Sequence, residues 1–189
     1  MNHSEDAVGN LNGPLQDLLY DQIKDLVSWQ MREMLRQWNR SVPMGDLFLD
    51  RWTRAQQLGF GKGTSIYDSS VVLGDVKIGD NTWIGPFTVI DGSGGLTIGD
   101  YCSISAGVHI YSHDTVDWAL SGGEKDVVKQ AVTIGNRCYI GPHSIISKGV
   151  SVGNGCVIGA NSFVNRNIPD GMMAWGSPCK IQGVTDNKK

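Results

Sequence analysis

Two scarce residue types in this chain are candidates for acid–base or nucleophilic chemistry, four histidines and four cysteines. A histidine titrates near neutrality and can take up and return a proton within one reaction cycle. His3 lies in a polar N-terminal stretch, so three histidines remain for a folded site. His113, in Tyr111-Ser112-His113-Asp114-Thr115, opens a polar segment between two regular regions. Asp114 could orient its imidazole, although sequence neighbours often point apart and a backbone carbonyl could serve instead. His109 precedes an inward aliphatic and should point outward. His143, in Ile140-Gly141-Pro142-His143-Ser144, falls on a turn. The cysteines Cys102, Cys138, Cys156 and Cys179 form no C-x-x-C pair and have no histidine partner in sequence. They read as small, semi-buried filler.

The elements that position these residues follow from a period of six. Large aliphatics stand at Ile66, Val72, Ile78, Ile84 and Ile90, then at Ile98, Ile104 and Ile110. They resume at Ile134, Ile140, Ile146, Val152, Ile158 and Val164. Glycine follows directly in half of these fourteen positions, for example Ile78-Gly79, Ile134-Gly135 and Ile158-Gly159. Two irregularities interrupt the rhythm. Two extra residues enter at Asp91-Gly92-Ser93-Gly94-Gly95, and a longer insertion separates Ile110 from Ile134 without changing the phase. A period of six fits neither a helix nor a flat sheet. It fits a three-sided parallel β-helix with one short strand and one turn per hexapeptide, the aliphatic pointing inward. Fourteen hexapeptides make four to five coils, about 22 Å of stack at the usual strand spacing.

The expected organisation is a polar tail over 1–13, a helical segment over 14–60, the β-helix over 63–168 with a protruding loop at 111–130, and a C-terminal segment over 169–189. After Pro14, the apolar residues Leu15, Leu18, Leu19, Ile23, Leu26, Val27, Met31, Met34, Leu35 and Trp38 trace an amphipathic helix that Val42-Pro43 ends. A second helix is expected around 44–58. The helical part should cap the open end of the prism or pack on a partner.

Composition narrows the function classes. The chain has 189 residues, a net charge of −3 and 25 glycines, about twice the usual share. The mildly acidic balance argues against nucleic acid or an anionic membrane as partner. The polar N-terminus does not read as a secretory signal, no apolar run is long enough to span a bilayer, and a cytoplasmic location is expected.

The hexapeptides, the single loop opened by His113 and the closing segment Asn167-Ile168-Pro169-Asp170-Gly171-Met172-Met173-Ala174-Trp175-Gly176-Ser177-Pro178-Cys179-Lys180 resemble the hexapeptide-repeat acyltransferases. The maltose, galactoside and polysaccharide O-acetyltransferases are the nearest in kind. The resemblance covers about 63–183 and implies a mainly β fold, a left-handed parallel β-helix assembled as a homotrimer, with active sites between subunits and acetyl-CoA as co-substrate. It maps the catalytic base onto His113. It maps the coenzyme groove onto Gly141, Pro142, Ala160, Asn165, Arg166, Trp175 and Lys180. Pro142 departs from relatives that have a serine donor there. The acceptor side maps onto Asp91 and Tyr139; Asp114 is counted with them, as is Trp118, which could stack on a sugar face or on a neighbouring subunit. Relatives place an acceptor-binding asparagine just before the first insertion, where this chain has Phe87, so its acceptor differs from a galactoside.

The resulting expectation is an acetyl-CoA-dependent O-acetyltransferase acting on a sugar hydroxyl by direct transfer in a ternary complex, with no metal required. The γ-type carbonic anhydrases share the fold and bind zinc through three histidines, one well upstream of a close pair. Here the close pair, His109 and His113, comes first. The alternatives are N-acetylation of an amino sugar, serine acetylation, whose Gly-Thr-Gly and Asp-Arg-His-Pro segments are missing, and a non-catalytic scaffold, which an intact His113 loop disfavours.

Overall fold

The computed structural model describes residues 13–185; His3 and the polar tail before Gly13 lie outside the described residues. The chain divides into two compact units, Met1–Phe48 and Leu49–Lys189. In the first, helix α1 (Pro14–Trp38) starts with proline in its first turn and ends at Asn39, which takes a left-handed conformation (φ 51°) and returns its N–H to the Leu35 carbonyl. No residue of α1 is buried. Helix α2 (Met44–Phe48) follows.

The helix expected over 44–58 is two helices, and Asp50 is the reason. Its extended backbone interrupts the run, and its carboxylate accepts from the Trp52 and Thr53 amides, each at 3.0 Å. That makes it the N-cap of α3 (Arg51–Gln57), in the second unit. Ala55 is fully buried in the main core, and the Arg54 guanidinium donates to the Tyr67 and Ser70 carbonyls of the first coil. The helix thus caps backbone acceptors and apolar surface that the first rung would otherwise present to water.

The prism has three columns of inward residues. One column runs Ile66, Ile84, Ile104, Ile140, Ile158 and Ala174, in parallel strands paired in that order. A second runs Val72, Ile90, Ile110, Ile146 and Val164. The third runs Ile78, Ile98, Ile134, Val152 and Ile168. Of the fourteen periodic aliphatics, all are buried except Val72, which is half-buried against the same core. The stack has about six turns rather than four to five, because it continues past residue 168. Ile168 and Ala174 keep facing inward although the step from Val164 to Ile168 is four residues instead of six. Strand Lys180–Val184 then pairs antiparallel with strand Met172–Trp175 and closes that face.

A ladder at one corner accounts for much of the glycine. Asp80, Asp100, Asn136, Asn154 and Asp170 stack on successive coils, and each accepts through Oδ1 a backbone N–H from the coil before it, at 2.7–2.9 Å. A glycine precedes the first four. A Cβ on Gly99 would lie 2.2 Å from the Asn136 Oδ1 atom, so no side chain fits there. Inside the same corner Cys102, Cys138 and Cys156 continue a column begun by Thr64 and Thr82, each donating its hydroxyl or thiol to a carbonyl of the next coil. The cysteines are therefore buried structural donors.

Among the described residues, no helix is long and apolar enough to cross a membrane.

Candidate active site

The two insertions occupy the same place on consecutive coils. The first lies between Ile90 and Ile98 and the second between Ile110 and Ile134, and both cross from the second column to the third. Extra residues at one corner on neighbouring coils must leave the prism side by side, which brings Asp91 to His113.

Asp91 is completely buried. Its Oδ1 accepts the Ser93 amide at 3.0 Å. Its Oδ2 accepts the Ser112 amide at 2.8 Å, the Ser112 hydroxyl at 3.3 Å and His113 Nδ1 at 2.6 Å. Burial by itself would raise this carboxyl, but hydrogen bonds from Ser93, His113 and the Ser112 amide outweigh it and hold the group at about 2. An ionised carboxylate only accepts, so His113 Nδ1 carries a proton, and in the neutral imidazole the lone pair is on Nε2. That is the tautomer a general base needs.

The loop is held at its root. The Ser112 hydroxyl accepts the Gly94 amide at 2.8 Å, and the Ser112 carbonyl accepts the Gln130 amide at 2.9 Å. Strand His113–Asp114 pairs antiparallel with Val128–Lys129, His113 opposite Lys129. Asp114 faces away from the imidazole's partner and forms an ion pair with Lys148 at 2.5 Å, which holds its carboxyl below the usual range. The loop's outer part contains the short helix α4 (Val116–Leu120), on which Val116, Trp118 and Leu120 are all exposed. An open cleft at the root is lined by Ser93, His113, Thr115, Asp126, Val127 and Lys129.

Most of the remaining sequence-expected residues lie elsewhere on the prism. Gly141, Pro142 and Ala160 sit on stacked turns at another corner, where the Pro142 carbonyl accepts the Asn161 amide at 2.9 Å. Exposed Tyr139 precedes that corner, and exposed Trp175 pairs across strands with Lys180. Asn165 and Arg166 are exposed and follow the buried Val164, at the corner of the two insertions but on a later coil. His109 points outward, its Nδ1 3.2 Å from the Tyr111 hydroxyl, and His143 occupies a left-handed turn position (φ 58°) with its ring over Gly107. Among the described residues, no three His, Cys, Asp or Glu side chains form a group that could hold a metal ion.

The sequence reading placed Asp91 on the acceptor side; the structure places it beneath the imidazole instead, out of reach of a ligand, because its carboxylate points inward and is enclosed. Lys148, Asp126 and Lys129 went unremarked in the sequence. The available signal was the shared phase of the two insertions, since Ile90 and Ile110 are one coil plus two residues apart.

Comparison with known proteins gives a consistent picture. Residues 131–166 match the model for the bacterial transferase hexapeptide (six repeats), and residues 75–112 match the hexapeptide repeat of succinyl-transferase. No curated protein matches the sequence. Among solved structures, AntD of Bacillus cereus, an N-acyltransferase in complex with dTDP and coenzyme A, is similar at 26% identity over 68% of this chain and 74% of that one, with a TM-score of 0.63. A hexapeptide-repeat acetyltransferase of Vibrio cholerae, complexed with acetyl coenzyme A, shares the fold at 23% identity over 87% of this chain and 90% of its own, with a TM-score of 0.64. The acetyltransferase domain of PglB from Neisseria gonorrhoeae does so at 22% identity over 65% of this chain and 50% of that one, with a TM-score of 0.53. The inward columns thus coincide with two stretches that match hexapeptide-repeat transferase models, and the chain shares its fold with hexapeptide-repeat acetyltransferases.

Proposed function

We propose that this protein transfers an acetyl group from acetyl-CoA to a sugar hydroxyl, directly and without an acyl-enzyme. The observation that carries the reading is the 2.6 Å contact between buried Asp91 and His113 at the wall of an open cleft. His113 Nε2 takes the hydroxyl proton as the oxygen attacks the thioester carbonyl. A C–O bond forms, the C–S bond breaks, and the imidazolium returns its proton to the departing thiolate. Asp91 fixes the tautomer and stabilises the transient imidazolium, the positioning role of a buried carboxylate beside a catalytic histidine. The buried cysteines are poor candidates for nucleophile, the Cys102, Cys138 and Cys156 thiols being committed to backbone carbonyls and the Cys179 thiol being pushed up by burial.

Asn165 along the pantetheine arm and Arg166 toward the phosphates follow Val164 at the second-to-third-column corner, on a later coil than His113; the main coenzyme contacts are assigned to the first-to-second-column corner, with Gly141, Pro142 and Ala160 along the pantetheine arm and Lys180 toward the phosphates. Trp175 would pack against the coenzyme or a neighbouring chain. In one chain this corner and the His113 corner are separated by a full prism face, so we infer a homotrimer whose sites lie between subunits. A polar loop with exposed Trp118 and Leu120, and the exposed aromatics Trp83, Phe87, Tyr101 and Tyr139, suit such an assembly. Tyr139 and Trp118 are placed on the acceptor side. Asp114, ion-paired to Lys148, sits at its edge.

A second reading is N-acylation of an amino sugar, favoured by the likeness to AntD, an N-acyltransferase. Free-thiol release from acetyl-CoA, measured over matched sugars and amino sugars, separates the two. His113→Ala should lower kcat by about 10²–10⁴-fold while leaving acetyl-CoA affinity near wild type. Retention of more than about a tenth of wild-type kcat would remove His113 from the role.

A further inference from the structure

We propose that Lys129 is a specificity-determining residue that binds an acidic group, phosphate or carboxylate, on the acceptor whose nucleophile meets His113. The inference rests on the reading of His113 as the base.

The argument begins with strand pairing. His113 and Lys129 are direct partners in the antiparallel pair at the loop's root. Directly opposed residues of an antiparallel pair extend to the same side of the ribbon, with Cβ atoms roughly 5 Å apart. Both side chains accordingly line one cleft. The loop's insertion creates this adjacency, and it does so across a ladder of only two residue pairs, His113–Lys129 and Asp114–Val128.

The second observation is how the charges around the base are used. Asp91 is engaged by His113, and Asp114 by Lys148. Lys129 is exposed and forms no ion pair among the described residues. Asp126 also lines the cleft, but three residues further along the loop and beyond the two paired positions. The ammonium thus belongs to the residue directly opposite the base in the strand pair and is held in no ion pair among the described residues. A lysine held as a point charge beside a reaction centre suits a phosphate or carboxylate whose orientation is set by other contacts. Ser93 and Thr115, also in the cleft, offer hydroxyls to the rest of a polar acceptor. The wall that one chain contributes holds no Phe, Tyr or Trp, so it offers charge and hydrogen bonds.

The test uses the full chain and three probes of one sugar, galactose, galactose 1-phosphate and galacturonate. Equilibrium binding of each is measured for wild type, Lys129→Gln, Lys129→Arg and Lys129→Glu, alongside KM and kcat wherever acetyl transfer occurs. Wild type should prefer one or both acidic probes over galactose by at least about tenfold, with the preference shrinking as salt rises. Lys129→Gln should remove that preference, Lys129→Glu should reverse it, and Lys129→Arg should keep most of it. Phosphate preference alone or carboxylate preference alone identifies which acid is read. Equal binding of all three probes by wild type, or an unchanged preference in Lys129→Gln, overturns the proposal. A loss confined to kcat overturns it too, since it would assign Lys129 to the transition state. The two readings fail separately. Absence of acetyl transfer that depends on His113 counts against the acyltransferase assignment, whereas the binding preference bears on Lys129 whether or not transfer occurs.

Discussion

His113 and Asp91, twenty-two residues apart in sequence, meet at 2.6 Å because two insertions leave the same corner of the prism on consecutive coils. The carboxylate is wholly enclosed, while the imidazole above it is about a quarter exposed at the cleft. One partner is therefore shielded from any ligand and the other is presented to it.

Replacing Asp91 by asparagine should preserve the shape of the site and remove the charge. Without an obligate acceptor at Nδ1, the imidazole loses its tautomer preference, and kcat should fall by about 10²-fold or more with little change in the KM for acetyl-CoA. The variant also tests a stability effect. Folding lowers the Asp91 carboxyl from 3.8 to about 2, so the native state favours its ionised form. The associated stabilisation, about 2 kcal/mol, is fully present above the unfolded value near pH 4 and is lost as the pH falls through about 2. Chemical denaturation at pH 6, 4 and 2.5 should show wild type losing an increment over the lower interval that Asp91→Asn lacks. Parallel acid profiles for the two proteins would contradict this.

Gly99→Ala tests the corner ladder. The new methyl would meet Asn136 Oδ1 at 2.2 Å and the Asn136 amide at 2.9 Å. Either the Asx hydrogen bond to Asp100 breaks or the coils separate. The expected cost is about 2–3 kcal/mol, seen as a lowered denaturation midpoint with an unchanged slope. An undiminished midpoint would mean that the coils can spread at no cost.

Sharing of the site between subunits can be tested by complementation. His113→Ala chains are co-refolded with Ala160→Trp chains, each inactive by itself. In a cyclic trimer with one cleft per interface, random mixing leaves about a quarter of the clefts with both halves intact, and about a quarter of wild-type activity should return. No recovery from demonstrably mixed oligomers, or a monomeric mass at micromolar concentration, would refute the shared site.

The amino-acid sequence by itself determined the prism. Its hexapeptide period repeats the same local decision, aliphatic inward and a tight turn beside it, and each repeat needs only its neighbours to be satisfied. Ile66 through Val164 could therefore be read as core, and the loop at 111–130 as an interruption, without knowing any long-range contact. The helix break at Asp50 and the continuation of the stack through Ile168 and Ala174 were less visible. A cap and one shortened step are single events with no repetition to reveal them. Tertiary structure alone decided the partners around His113. Asp91 reaches it only because eighteen residues of coil plus a two-residue insertion bring one corner above the other, and Lys129 only because the loop closes on itself at its root. Asp114, its neighbour in sequence, goes to Lys148, since adjacent residues of an extended strand point to opposite sides. Periodicity is written locally in a chain; the pairing of irregularities is set by the register between coils.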